Sequence, residues 1–108
     1  MRFARLIEKT VSLVDVATTE STAAVDLNGA DKYSVQVVAV ALDSIAHLEG
    51  SNNGTNWTEI DDQSIAEGDS YLFEQPNVDY RYARVTIEND DISDVSADCL
   101  FLVIGDAV

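Results

Sequence analysis

Leu48-Glu49-Gly50-Ser51-Asn52-Asn53-Gly54-Thr55-Asn56-Trp57-Thr58-Glu59-Ile60 is the stretch that decides how the rest of the chain reads. Ile45, Ala46 and Leu48 lead into it with apolar side chains, and Trp57 and Ile60 resume the apolar pattern on the far side. Between them Ser51, Asn52, Asn53 and Gly54 cluster as turn formers. Asn-Gly is the strongest short hairpin signal, because both residues tolerate the positive φ of a two-residue turn. The stretch therefore predicts strand, tight turn, strand. A Trp just after such a turn is expected to fold back over the sheet as a large core plug.

Outward from this hairpin the same period-2 pattern continues. Tyr33 to Leu42 is β-branched and apolar, the mark of a central strand. Tyr33, Val35, Val37 and Ala39 share one face of it. Tyr71-Leu72-Phe73 is a short strand stopped by Gln75-Pro76-Asn77, and Asp79 to Glu88 alternates, with Arg81, Ala83, Val85 and Ile87 on one side. Val95 to Ile104 is the last strand, apolar on both faces from Leu100. Upstream, Ala23 to Leu27 alternates before a second turn signal, Asn28-Gly29. Phe3, Leu6 and Ile7 fall at helical spacing, yet Val11 and Leu13 suit a strand, so residues 1–16 read as an N-terminal arm or a first strand. The expectation is an all-β protein: one antiparallel β-sandwich or jelly roll over residues 17–108, of about seven to eight strands, with an extended N-terminal arm.

The totals agree with one domain. A chain of 108 residues, 46% of them hydrophobic, has enough apolar surface for one core. No apolar run is long enough for a membrane span, and the charged start is unlike a signal peptide, so the chain is expected to stay inside the cell that makes it. The net charge of −14 repels phosphate, and nucleic acid is not an expected partner. Half of the six basic residues, Arg2, Arg5 and Lys9, sit in the first nine positions, a mildly basic start on an acidic body.

Chemistry is sparse. His47 is the sole histidine and Cys99 the sole cysteine, so no zinc set or nucleophilic triad is legible, and no Gly-rich phosphate loop appears. Cys99 lies among apolar residues and reads as a buried thiol. Asp90, Asp91 and Asp94 cluster in a loop, which could offer oxygens to calcium. They lack the Asp-x-Asp-x-Asp-Gly alternation, so they read as solvated loop charge. Asn53 and Asn56 fit Asn-x-Thr but read as turn chemistry, and the aromatics as core or cross-strand pairs. No enzyme, cofactor or metal is expected.

Gly50-Ser-Asn-Asn-Gly-Thr-Asn-Trp-Thr58, followed by Tyr80-Arg-Tyr-Ala-Arg-Val85, resembles two groups. One is the discoidin domain, a jelly-roll sandwich that often binds glycans or lipids. The other is a group of small virion proteins of tailed bacteriophages with similar sandwiches. The single cysteine and small size resemble the phage group better, and within it the capsid decoration, or cement, proteins. That resemblance implies a trimer on the capsid exterior, bound to the major capsid protein. Arg2, Phe3, Arg5, Leu6 and Lys9 would be arm contacts to the shell, with Trp57, Tyr82 and Val37 holding the sandwich. The alternative is a carbohydrate-binding module or a tail or fibre component, with Asn52, Asn53, Asn56 and Trp57 as a ligand loop.

Overall fold

A computed structural model describes residues 2–14, 18–41, 43–89 and 95–106. The apolar alternation that marks Tyr33–Ala39 as a strand also sets the inner layer of the fold. Ala30–Ala41 forms β4, in which Tyr33, Val35, Val37 and Ala39 are all buried. Val95–Asp106 forms the last strand, β9, which pairs antiparallel with β4 through Val35↔Phe101 and Val37↔Cys99. Its other edge takes β1, Arg2–Val14, with Arg2↔Asp106 and Val11↔Ala97. Ser70–Gln75, β7, pairs with the opposite edge of β4 and closes a four-stranded sheet of order β1-β9-β4-β7.

The second sheet is built on Tyr82–Glu88, β8, and on the hairpin strands Ser44–Ser51, β5, and Thr58–Ile65, β6. Its order is β2-β8-β5-β6, where β2 is Thr19–Ser21. Val25–Asp26, β3, pairs with the same edge of β8 further along. Thr22 interrupts the two: its N–H donates to the Val85 carbonyl at 2.8 Å, and its hydroxyl accepts the Val85 N–H at 3.2 Å. β2 and β3 are thus halves of one broken strand, which is why nine strands stand where about seven to eight are expected. Among the described residues β5–β6 is the one hairpin; every other link between full strands crosses from one sheet to the other. That gives the eight-strand, double-sheet order of a jelly roll.

The core between the sheets is filled by Phe73, Phe101, Leu27, Leu48 and Ile87 with a layer of valines. Three sequence expectations change here. The helical spacing at Phe3, Leu6 and Ile7 loses to period 2, because β9 offers a full-length partner and Phe3 and Ile7 then pack together against the core. Of the two readings given for residues 1–16, the structure has the first strand, over Arg2–Val14 at the edge of its sheet. The turn after Ser51 is a six-residue loop, Asn52–Trp57, and not a two-residue Asn53-Gly54 turn. Its backbone is tied down by side chains. Ser51 Oγ accepts the Asn53 and Gly54 N–H groups, and Asn53 Oδ1 accepts those of Thr55 and Asn56 at 2.9 Å. Gly54 supplies the left-handed φ, +74°.

Trp57 is the third change. It is half-buried at the end of this loop instead of plugging the core. Ile60 and Tyr80 cover the hairpin base in its place, over Gly50, where a Cβ would lie 2.9 Å from each of them. Tyr80 also meets Tyr33 edge-on, with the two hydroxyls 2.5 Å apart. Burial, and then this hydrogen bond, push the Tyr33 phenol far above its usual value.

Candidate functional site

The outward side chains of β5, β6 and β8 form a connected polar face. Alternation turns His47 and Glu49 outward from β5, and Arg84, Thr86 and Glu88 outward from β8. The Glu49 carboxylate accepts from Arg84 Nε at 2.7 Å and from the Thr86 hydroxyl at 2.5 Å. Thr86 is in turn 2.7 Å from the Ser21 hydroxyl. The Arg84 guanidinium lies 4.3 Å from the centroid of the Trp57 ring, so the tryptophan covers the ion pair from outside.

Beside this chain His47 is held by two carboxylates. Its Nε2 is 3.0 Å from Glu88 Oε1, and its Nδ1 contacts Glu59. Burial disfavours the charged ring, but Glu59 and Glu88 outweigh it and hold the His47 pKa above the ordinary histidine value. Asp62 stands directly across the strand pair from His47. Glu59 and Asp62 are three residues apart and in a regular strand would point to opposite faces. Here the register jumps from Leu48↔Asp61 to Glu49↔Glu59, skipping Ile60. This bulge reverses the alternation. It brings one ligand atom each of His47, Glu59 and Asp62 to within 4.8 Å of one another.

The outward face of the other sheet is different. Leu6 on β1, Leu102 on β9 and Leu72 on β7 are 63%, 37% and 48% exposed. Leu6 pairs with Leu102, which pairs with Ser34; Leu72 pairs with Gln36, which pairs with Leu100. Of these, Leu72, Leu102 and Ser34 line an open groove of about 450 Å³ together with Lys32, Glu74 and Ile104.

The candidate residues from the sequence are not gathered in one place. Of the arm set, Leu6 faces outward. Phe3 packs against the core, Lys9 lies on the same inner side of β1, and Arg2 is paired through its backbone with Asp106. Arg5 stacks 5.2 Å from the Phe3 ring and donates to the Asp26 carbonyl at 3.2 Å. In the candidate ligand loop, Asn52, Asn53 and Asn56 line a depression of about 460 Å³ with Tyr80, while Trp57 is turned to Arg84. The Asn52 and Asn53 side chains already serve the backbone, Asn52 through the Arg81 N–H at 3.2 Å. Asp90, Asp91 and Asp94 lie outside the described residues. Cys99 is buried, and burial, with Asp98 nearby, pushes its thiol up to about 12. The set around His47 escapes sequence reading because its signal is a bulge, which leaves no residue-type signature.

No protein-family model and no curated protein matches the sequence. Solved structures do. The chain is similar to the PBSX exported protein XepA, with 18% identity and a TM-score of 0.71, over 98% of this chain and 38% of that one. It is also similar to a protein of the Bacillus endospore appendages, a family of disulfide-linked pili, with 14% identity, a TM-score of 0.62, and coverage of 100% and 92%. The SPBc2 prophage-derived protein YomS is similar at 5% identity and a TM-score of 0.55, covering 94% and 96%. The fold is shared with prophage proteins. This chain spans well under half the length of XepA. No helix among the described residues is long and apolar enough to cross a membrane.

Proposed function

We propose that this chain is a non-enzymatic structural protein of a tailed bacteriophage that decorates the capsid exterior, as a homotrimer, and stabilises it by binding the major capsid protein. The observation that carries the reading is the outward face of the β1-β9-β4-β7 sheet, where Leu6, Leu72 and Leu102 stand exposed on an otherwise strongly acidic protein. Exposed apolar side chains gathered on one sheet face are the kind of surface that docks a protein. It replaces the free arm as the contact surface, since β1 is tied to β9 along its length. The acidic remainder faces solvent and keeps crowded particles apart. The fold shared with XepA and YomS supports a phage setting.

Sedimentation of the purified chain with capsids of the phage that encodes it tests this. Stoichiometric co-sedimentation, lost in a Leu6→Ser/Leu102→Ser variant that stays folded, is expected. Absence of binding by the unaltered chain overturns it. A second reading rests on the depression beside Asn52, Asn53 and Asn56: a carbohydrate-binding module of a tail or fibre. Saturable heat with a panel of mono- and disaccharides, abolished by Tyr80→Ala, would favour that reading.

A further inference from the structure

We propose that His47, Glu59 and Asp62 form a binding site for a divalent transition-metal ion of the zinc type, with Glu88 as the group that orients the imidazole. The donor set is mixed, one ring nitrogen and two carboxylates. An imidazole suits zinc and its neighbours, whereas calcium and magnesium take oxygen shells. Donor atoms around a tetrahedral zinc ion lie roughly 3.3 Å apart, which follows from bonds of about 2.0–2.1 Å. The three ligand atoms here already lie within 4.8 Å of one another, so side-chain rotation suffices to close the set. The fourth position opens to solvent, because Glu59 and Asp62 are exposed.

Two features separate this set from an accidental cluster of acids on an acidic protein. The first is the orientation of the ring. Glu88 Oε1 sits 3.0 Å from Nε2, which holds a proton there and leaves Nδ1 to Glu59. A carboxylate on the far nitrogen is the usual support of a metal-bound histidine, since it fixes the tautomer and raises the basicity of the ligand. The second is the bulge at Ile60, without which Glu59 and Asp62 would lie on opposite faces. The ion would take the place of the proton between Nδ1 and Glu59 and tie β5 to β6, the edge strand of its sheet. The site is independent of capsid binding, which uses the opposite sheet.

Zinc chloride titrated into the chelator-treated full chain tests the proposal by calorimetry and thermal melting. One zinc per chain and a rise in Tm of several degrees are expected. His47→Gln and Asp62→Asn should each abolish both effects. Glu88→Gln should weaken binding about 10- to 100-fold, as loss of an outer-shell partner does. Glu67→Gln, an exposed acid on the β6–β7 loop, should leave binding unchanged. Asp62 is exposed, so Asp62→Asn keeps the test open if His47→Gln does not fold. In a histidine-ring ¹⁵N spectrum zinc should move Nδ1 while Nε2 keeps its proton. No zinc binding by the unaltered chain, or undiminished binding by Asp62→Asn, overturns the proposal.

Discussion

On the outward face of β8, β5 and β6, Thr86, Glu49, Arg84, His47 and Glu59 answer one another with hydrogen bonds and ion pairs. On the outward face of β1, β9 and β7, Leu6, Leu102 and Leu72 stand exposed. Both faces belong to strands whose inner side chains fill the same core, so the difference is not a matter of folding. A polar face that satisfies itself needs no partner and gains little from one. An apolar face gains from any surface that removes it from water, by about 25 cal/mol for each Å² covered. That contrast matches the two proposals, a docking face on the first sheet and a metal site on the second.

Inside and outside stand side by side within β9, where Phe101 is buried and its neighbour Leu102 is exposed. Phe101→Ala empties a fully buried position and should lower stability by about 3–5 kcal/mol in urea denaturation. Leu102→Ser should change it by no more than about 0.5 kcal/mol while removing part of the proposed docking face. A large stability loss from Leu102→Ser would mean that this face belongs to the fold and is not free for a partner.

Gly105 lies at the end of the same strand. A Cβ there would come 2.1 Å from the Gly29 carbonyl oxygen and 2.8 Å from Ala30 Cα, both backbone atoms. Gly105→Ala should therefore force β9 from β4 and cost about 1–3 kcal/mol, as overpacking does. A neutral effect in the same melts would show that the strand end moves freely.

The polar face can be broken at its centre. Glu49→Ala leaves Arg84 and Thr86 without their shared acceptor, and about 1–3 kcal/mol should be lost. The double-mutant cycle with Arg84→Ala should show coupling. Additive losses would mean that the face is a set of separate surface pairs.

Near neutral pH the smallest effect is expected at Cys99. Its folded pKa of about 12 lies above the ordinary thiol value, so the neutral thiol favours the folded state. That contribution is complete below the unfolded value, about 8.5, and is lost as pH rises toward 12. Iodoacetamide at pH 8 should leave the folded chain unlabelled and label it promptly in denaturant. Rapid labelling of the folded chain would show that the core opens at β9.

The core was legible because it is a matter of period. Val35, Val37, Ala83, Val85 and Ile87 could be assigned to the inner side from alternation alone, and all are buried. Residues that depend on two strands meeting were not legible. The single histidine looked inert because ligand counting along a chain cannot see Glu59 and Asp62 turned to one face. Trp57 was misplaced for a similar reason: its ring meets Arg84, 27 positions away in sequence, outside the core.

The amino-acid sequence by itself determined the class of this protein: an acidic, all-β sandwich organised around one hairpin, with its inner faces marked out by alternating apolar residues. Alternation is local, since each side chain's face follows from its neighbours in the strand. Only the tertiary structure decided that the first strand is bound to the last, that leucines from three strands share one outward face, and that a one-residue bulge gathers His47, Glu59 and Asp62. Those outcomes depend on register between distant strands, and a shift of one residue in register moves every side chain to the opposite face.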